Sequence, residues 1–392
     1  MWAIMELLHF IVWDPDPSIF SIFGLDVRWY GLMFAVGFLI GQQIMFYLYR
    51  QEGKPAQDVE TLTIFMVVAT IIGARLGHVF FYEPDKYLSD PIQILNIRGG
   101  GLASHGAAIG ILTALFLYVN YLIRFHKGKF EVKKRKRPGQ SYLWVVDKVV
   151  IVTAFIGALI RIGNFMNSEI VGMPTQTPEY GVVFGHWLEE SIVRNSQGQI
   201  VSAEASAEES GRWNERFEAP VLLELEFRKG IDTAAAAQYI RSDIQQMVRY
   251  QSRGEAFFTD PGPEPLPYSL QQRSGVVSAR VVANGVPRHP TQLYEAASYL
   301  FIFFLLFAIW SRYKGRAPEG LLFGIFLVTL FGFRFIWEFM KENQVAFEEG
   351  MVLNMGQWLS IPLVLAGVYF ILQSLRRKRS EEPPVPSQQK VS

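Results

Sequence analysis

The sequence has no cysteine and little charge: none of its 392 residues is Cys, and Asp, Glu, Lys and Arg together make up 19% of them. The first absence excludes disulfides, thiolate metal sites, iron–sulfur clusters and a cysteine nucleophile belonging to the chain. The second, with 37 basic residues against 36 acidic ones and a formal net charge of +1, gives no electrostatic reason to expect nucleic acid as a partner. The sequence also lacks a His-Glu-x-x-His pair, a Gly-x-x-x-x-Gly-Lys-Ser/Thr loop and a Gly-x-Ser-x-Gly elbow, so no metal ligand set, nucleotide loop or serine nucleophile is expected. Ser104 and His105 are adjacent, but neighbours on a helix do not face each other, which makes a dyad there weak.

What the sequence has is hydrocarbon. Half of the residues are hydrophobic, and they gather in runs of about 20, the length a helix needs to cross a ~30 Å apolar layer. Seven spans are predicted: Trp29–Tyr49, Thr61–Tyr82, Leu102–Ile123, Trp144–Phe165, Thr291–Trp310, Leu321–Met340 and Gln357–Leu375. Backbone in lipid must bond internally, and runs without two-residue alternation choose helix over barrel. The expectation is an all-α polytopic membrane protein with a small α+β domain inserted on the outer face. Residues 1–171 then carry helices one to four, 172–288 the insert, 289–379 helices five to seven, and 380–392 a disordered cytoplasmic tail.

Lysine and arginine bias sets the orientation. Lys133-Lys134-Arg135-Lys136-Arg137, Arg50 with Lys54, Arg312 with Arg316, and Arg376-Arg377-Lys378-Arg379 all fall in connections of one side, which is read as cytoplasmic. The amino terminus, the Glu342–Glu349 turn and the insert fall on the other. Met1–Asp14 has no basic start and no small-residue cleavage site, so no removable signal peptide is expected there. Within the insert, Val221–Phe227 alternates like a strand, Thr233–Gln251 reads as helix, Pro261–Pro267 is proline-rich, and Val276–Val282 is a second strand-like run.

Ionisable residues inside apolar spans cost about 2.5–3.5 kcal/mol each at mid-membrane, so their placement is informative. Arg75 and His78, Arg161 and Asn164, and Arg334 and Glu338 come late in outward-going helices; His105, Gln292, Glu295 and Tyr30 come early in inward-going ones. All lie in outer halves, whereas Val149–Ile160 and Leu321–Phe333 are nearly pure hydrocarbon. A transporter needs polar groups at mid-membrane with a route to both sides; an enzyme acting on lipid headgroups needs them at the depth of one leaflet, and the pattern favours the second. Arg334 and Glu338 are spaced to neutralise each other on a helix. Plainer readings stand beside these. An arginine near a helix end can snorkel and only anchor the helix, Tyr30 with Trp29 suits an aromatic belt, His78 and His289 suit satisfied interfacial histidines, and Gly73 and Gly77 suit close helix packing. Gly99-Gly100-Gly101 is either a flexible turn or a backbone anion cradle.

Six stretches carry a family resemblance. Arg161-Ile-Gly-Asn-Phe-Met-Asn-Ser-Glu-Ile-Val-Gly172 resembles the signature of the prolipoprotein diacylglyceryl transferases. Arg28-Trp-Tyr-Gly-Leu-Met33, Gly100-Gly-Leu-Ala-Ser-His-Gly106, His289-Pro-Thr-Gln-Leu-Tyr-Glu295, Phe333-Arg-Phe-Ile-Trp-Glu338 and Leu359-Ser-Ile-Pro362 follow the same family in the same order. Departures are Ile160 where the signature usually opens with Gly, Ala107 where a second Gly is common, Arg28 for a frequent His, and a longer outer segment.

The resemblance implies a seven-helix enzyme of the bacterial cytoplasmic (inner) membrane, amino terminus outside. It would move the diacylglyceryl group of phosphatidylglycerol to the lipobox cysteine of a prolipoprotein signal peptide, without a cofactor. Carried over by motif, with the polar pattern beside it, the catalytic candidates are His105, Arg161, Arg334, Glu295, Glu338 and Tyr30. The substrate-binding candidates are Arg161, Asn164, Asn167, Glu169, Gly172 and Arg75. Guanidiniums suit a departing phosphate, and a thiol with an ordinary pKa near 8.5 needs a base or a positive field. His105 is the preferred base, because imidazole titrates at about 6.5; Glu295 or Glu338 could instead hold that histidine or an arginine in place, and the sequence does not assign those roles. Asn164 and Asn167 are candidates for glycerol hydroxyl or ester contacts, with helix packing as the other reading.

Overall fold

A computed structural model describes residues 11–22, 25–96, 101, 103–126, 129–175, 181–208, 218–253, 257–313, 315–341 and 351–381. In chain order it contains β1 (Ile11–Trp13), β2 (Ser18–Ile22), β3 (Leu25–Arg28), α1 (Trp29–Gln51), α2 (Ala56–Phe81), α3 (Pro84–Ser89), a 3₁₀ turn (Pro91–Leu95) and α4 (Ser104–Asn120). There follow β4 (Tyr121–His126), β5 (Lys129–Lys134), α5 (Tyr142–Met166), β6 (Val182–Phe184), α6 (His186–Asn195), β7 (Ile200–Ala207) and β8 (Ala219–Phe227). Next come α7 (Thr233–Tyr239), running through a π turn (Ile240–Ile244) into α8 (Gln245–Arg253), then β9 (Tyr268–Arg273), β10 (Val276–Gly285), α9 (Thr291–Arg312), α10 (Leu321–Trp337), a 3₁₀ turn (Glu338–Met340) and α11 (Met355–Glu381).

The protein is mostly helical. Among the described residues, six helices are long and apolar enough to cross a membrane: Trp29–Gln51, Ala56–Phe81, Tyr142–Met166, Thr291–Arg312, Leu321–Met340 and Met355–Arg377. The predicted third span, Leu102–Ile123, is shorter than expected. Its helix, α4, has 17 residues, about 26 Å at 1.5 Å per residue. It ends where Tyr121–His126 turns to pair antiparallel with Lys129–Lys134, setting Arg124 opposite Glu131. Cross-strand pairing there replaces a further turn of helix, and the basic connection is partly a hairpin rather than a loop. The expectations for Met1–Phe10, Gly99-Gly100, the Glu342–Glu349 turn and the tail beyond Glu381 lie outside the described residues.

The chain forms two compact units. One is drawn from Met1–Phe34, Ala158–Ala297 and Arg334–Gln357. Its sheet has the strand order β7-β8-β10-β9, antiparallel throughout. Alternate residues of β8 (Val221, Leu223, Leu225, Phe227) and of β10 (Val277, Ala279, Val281, Ala283) are buried, as two-residue periodicity requires of a sheet with one covered face. Leu188 and Ile192 of α6 and Ile240, Ile244 and Val248 of the long helical run complete this core. Asp232 caps α7, its Oδ1 accepting from the Ala235 amide at 2.7 Å. The predicted strands and helix of the insert are therefore present. The three short amino-terminal strands were not expected; β1 pairs in parallel with β6, and Trp13 stacks on Phe165 at 4.3 Å while its indole donates to the Phe165 carbonyl at 2.9 Å.

The other unit comprises Ala35–Gly157, Ser298–Phe333 and Trp358–Ser392. Glycines bring its helices together. A Cβ on Gly73 would lie 2.5 Å from the Gly106 carbonyl, and one on Gly77 would lie 2.6 Å from the Gly106 Cα, so α2 and α4 touch backbone to backbone. Small-residue packing is what apolar helices use when lipid supplies no hydrophobic drive between them. Charge also lies inside this unit. The Asp147 carboxylate accepts from the Gly320 and Phe323 amides at 2.7 Å each, capping α10, and Lys148 pairs with Glu52 at 3.1 Å. Both Glu52 oxygens also accept indole N–H groups, from Trp144 at 2.7 Å and Trp310 at 2.6 Å.

Gly106→Ala is expected to cost about 1–3 kcal/mol through overpacking, while Gly332→Ala, with nothing within 4 Å of the added methyl, is expected to be neutral or slightly stabilising. Thermal unfolding of the two variants in detergent checks the contrast.

Candidate active site

Four segments supply the polar cluster of the first unit: the end of α5 with the turn after it, the start of α9, the end of α10, and the chain that follows it. Arg161 lies near the end of α5, and its Nε is 2.9 Å from Glu295 Oε2. Glu295, one turn into α9, is only 4% exposed. Its other oxygen accepts from Lys341 Nζ at 2.6 Å, and Lys341 also reaches Glu338 Oε1 at 3.7 Å. Glu338 in turn meets Arg334 Nε at 3.5 Å, the pairing expected from their spacing. The Asn354 amide donates to the second Glu338 oxygen at 3.1 Å. Arg161, Glu295, Lys341, Glu338 and Arg334 thus form one chain of alternating charge. Within this chain of five, cations outnumber carboxylates by three to two.

The turn after α5 is held in an unusual backbone. Ser168 and Ile170 both have positive φ, 54° and 56°. For a β-branched residue this is a true outlier, and it persists only where surroundings over-determine it. Here they do. Gln292 Nε2 donates to the Glu169 carbonyl at 2.6 Å, Thr291 Oγ1 to the Ile170 carbonyl at 3.1 Å, and the Gly172 amide to the His289 carbonyl at 3.0 Å. Gly172 must be glycine: a Cβ would stand 2.6 Å from both the His289 carbonyl oxygen and the Thr291 methyl. The buried Arg288 donates to the Gly172 carbonyl at 2.8 Å and lies over the Phe257 ring. Burial pushes the imidazole of His289 below its ordinary range, so the neutral ring is favoured at neutral pH, with Nδ1 3.3 Å from the Tyr294 hydroxyl.

Glu169 receives both asparagines of the turn, Asn164 Nδ2 at 3.2 Å and Asn167 Nδ2 at 3.3 Å. Among the described residues, Asn167 Oδ1 and the Ser168 hydroxyl are buried without a hydrogen-bond partner. Tyr30, at the start of α1, packs its backbone on Gly163, where a Cβ would come within 3.0 Å of the Tyr30 Cα. It lies within electrostatic reach of Glu169 and Arg161. Of the expected site residues, Tyr30, Arg161, Asn164, Asn167, Glu169, Gly172, Glu295, Arg334 and Glu338 therefore all belong to this unit.

Arg75 and His105 belong to the other. Arg75 is buried and donates to four backbone carbonyls: Ile94 at 2.9 Å, Gly101 at 3.1 Å, Gln93 at 2.7 Å and Asn96 at 2.9 Å. Its guanidinium also stacks over Tyr87 at 4.7 Å. These bonds hold the connection between α2 and α4. His105 stands exposed in the first turn of α4, its ring 5.0 Å from Phe81 and 5.8 Å from Tyr82.

The family profile described as prolipoprotein diacylglyceryl transferase matches residues 17–373. The chain belongs to the prolipoprotein diacylglyceryl transferase family. Its relatives include proteins named phosphatidylglycerol–prolipoprotein diacylglyceryl transferase from Tolumonas auensis, 34% identical over 94% of this chain and 99% of the relative, and from Chloroherpeton thalassium, 32% identical over 96% and 99%. Another, from Porphyromonas gingivalis, is 33% identical over 95% of this chain and 97% of the relative. As a diacylglyceryl transferase family member, the chain is a multi-pass membrane protein of the transferase class.

Within this diacylglyceryl transferase, Lys341 is the member of the charge chain that motif reading missed. It is 8% exposed and bridges the two glutamates. Its signal was available in outline, since Glu338 and Lys341 are three residues apart, but contact with Glu295 spans 46 positions and leaves no mark in local sequence. The positive φ of Ile170 was equally invisible. Lys341→Met is expected to destabilise the protein by about 3–5 kcal/mol, because it strands buried carboxylates. The double variant Lys341→Met with Glu295→Gln is expected to recover a large part of that loss, read as a coupling energy from a thermal double-mutant cycle.

Proposed function

We propose that the protein transfers the diacylglyceryl group of phosphatidylglycerol to the lipobox cysteine thiol of a prolipoprotein, the first step of lipoprotein maturation. In this reading it is an enzyme of the bacterial cytoplasmic membrane with α4 as a seventh crossing, the insert and amino terminus outside, and the carboxyl terminus in the cytoplasm. The basic residues of the α1–α2 connection, the β4–β5 hairpin, the α9–α10 connection and the end of α11 support that orientation.

One observation carries the chemistry: the charge chain from Arg161 to Arg334 holds one more cation than carboxylate. In the reaction the sulfur attacks the glyceryl carbon that bears the phosphate. The S–C bond forms as the C–O bond breaks, the electron pair stays on the phosphate oxygen, and glycerol phosphate leaves. The developing phosphate charge is what Arg161 and Arg334 stabilise, and their glutamate and lysine neighbours hold them oriented before substrate arrives, so little reorganisation is needed at the moment of transfer. Asn167 Oδ1 and the Ser168 hydroxyl, buried and without partner among the described residues, suit the glycerol hydroxyls of the headgroup. By its imidazole chemistry His105 is the preferred base for the thiol proton. Arg75 acts by holding its loop.

The test supplies phosphatidylglycerol vesicles and a lipobox peptide to the purified protein and reads peptide mass. The expected result is a shift by one diacylglyceryl group and release of glycerol phosphate; an unchanged peptide mass with folded protein contradicts the reading. Arg161→Ala is expected to lower the rate by about 10²–10³-fold, with Arg161→Lys retaining more. Arg75→Ala is expected to lower the unfolding temperature before it affects turnover of the folded fraction.

A further inference from the structure

A second cluster of titratable groups lies away from the charge chain, in the same unit. β1 and β6 run parallel with Trp13 opposite Phe184, so the next residues, Asp14 and Gly185-His186, leave the strand pair at the same end. Helix α6 begins there, and Glu189 follows His186 by three positions, on the same face. One donor atom from each of Asp14, His186 and Glu189 lies within 4.8 Å of the others. Asp14 Oδ1 lies 3.8 Å from the His186 Nδ1. The other Asp14 oxygen accepts from the Ala205 amide at 3.4 Å, which fixes the carboxylate plane.

Glu189 is the telling member. It is nine-tenths buried, and its Oε1 has no hydrogen-bond partner among the described residues. A buried carboxylate oxygen without a donor is costly, and this one stands beside a second carboxylate. A dication would remove both penalties at once, since two carboxylates balance its charge and the imidazole adds a neutral donor.

We propose that Asp14, His186 and Glu189 bind a first-row divalent cation of the Zn²⁺ type, which staples the segment preceding α1 to the insert. Mixed imidazole and carboxylate donors suit such an ion better than Ca²⁺ or Mg²⁺, which favour oxygen alone. Three bonds of about 2.0–2.2 Å need donor atoms no more than about 4.4 Å apart, within reach of small side-chain rotations from the spacing seen. The ligands join positions 172 residues apart in sequence, so the ion would act as a structural crosslink independent of transfer chemistry.

The experiment strips purified full-length protein with chelator, adds Zn²⁺, desalts, and measures zinc per chain and unfolding temperature. Wild type and Glu190→Gln, which alters an exposed neighbour paired with Arg194, are expected to retain about one zinc and to gain thermal stability. His186→Ala and Glu189→Gln are expected to bind at least tenfold more weakly and to lose the zinc-dependent shift. Circular dichroism of the stripped variants confirms that they are folded. Absence of retained zinc in wild type overturns the proposal by itself, whatever the variants do, and equal retention by wild type and the double variant His186→Ala with Glu189→Gln overturns it as well.

Discussion

A charge taken out of water must be compensated where it lies, and that constraint organises the polar interior of this protein. Glu295 is a buried carboxylate and Glu338 a partly buried one, and neither is tolerable alone. Lys341 stands between them, Arg161 closes one end and Arg334 the other. The links run from 2.6 to 3.7 Å, the partners come from α5, α9 and the run Arg334–Lys341, and removing a partner from a buried pair costs several kcal/mol. The turn of residues 167–172 is pinned to the start of α9 by the same economy of bonds. Gln292, Thr291 and the His289 carbonyl satisfy backbone groups that the positive φ of Ser168 and Ile170 would otherwise leave open.

Such a network serves function because it is preformed. Guanidiniums already oriented by carboxylates need not be reorganised when an anion arrives, and the surplus cation gives the cluster a sign. The other unit solves the same problem for structural ends. Glu52 takes one lysine and two indoles, and Asp147 caps a helix that starts more than 170 residues later. Both groups act on helix packing and helix ends. The contrast separates a network that holds helices from one that also presents a positive field.

The helices were largely legible in the sequence, because lipid demands long continuous apolar runs and leaves few other ways to write them. The insert's strands at Val221–Phe227 and Val276–Val282 were legible for an equally local reason, their alternation. Less was readable where structure depends on distant partners. β1, β2 and β3 are three to five residues long, too short for a period to register, and β1 exists because β6 lies beside it. Residues Leu102–Ile123 read as one span, yet helix gives way to a strand at Tyr121 because a hairpin partner follows. For the site, motif and polar placement gathered nine residues that lie in one unit. They did not reveal Lys341, whose partner is 46 positions away, nor that Arg75 spends its donors on backbone carbonyls.

The central claim is that Arg161 and Arg334 receive the phosphate of the lipid headgroup. The most direct measurement is a structure of the protein with a bound non-transferable phosphatidylglycerol analogue. The account predicts phosphate oxygens within hydrogen-bond distance of both guanidiniums, with the headgroup glycerol near Asn167 and Ser168. A headgroup bound elsewhere, with Arg161 and Arg334 still paired only to Glu295 and Glu338, would contradict it.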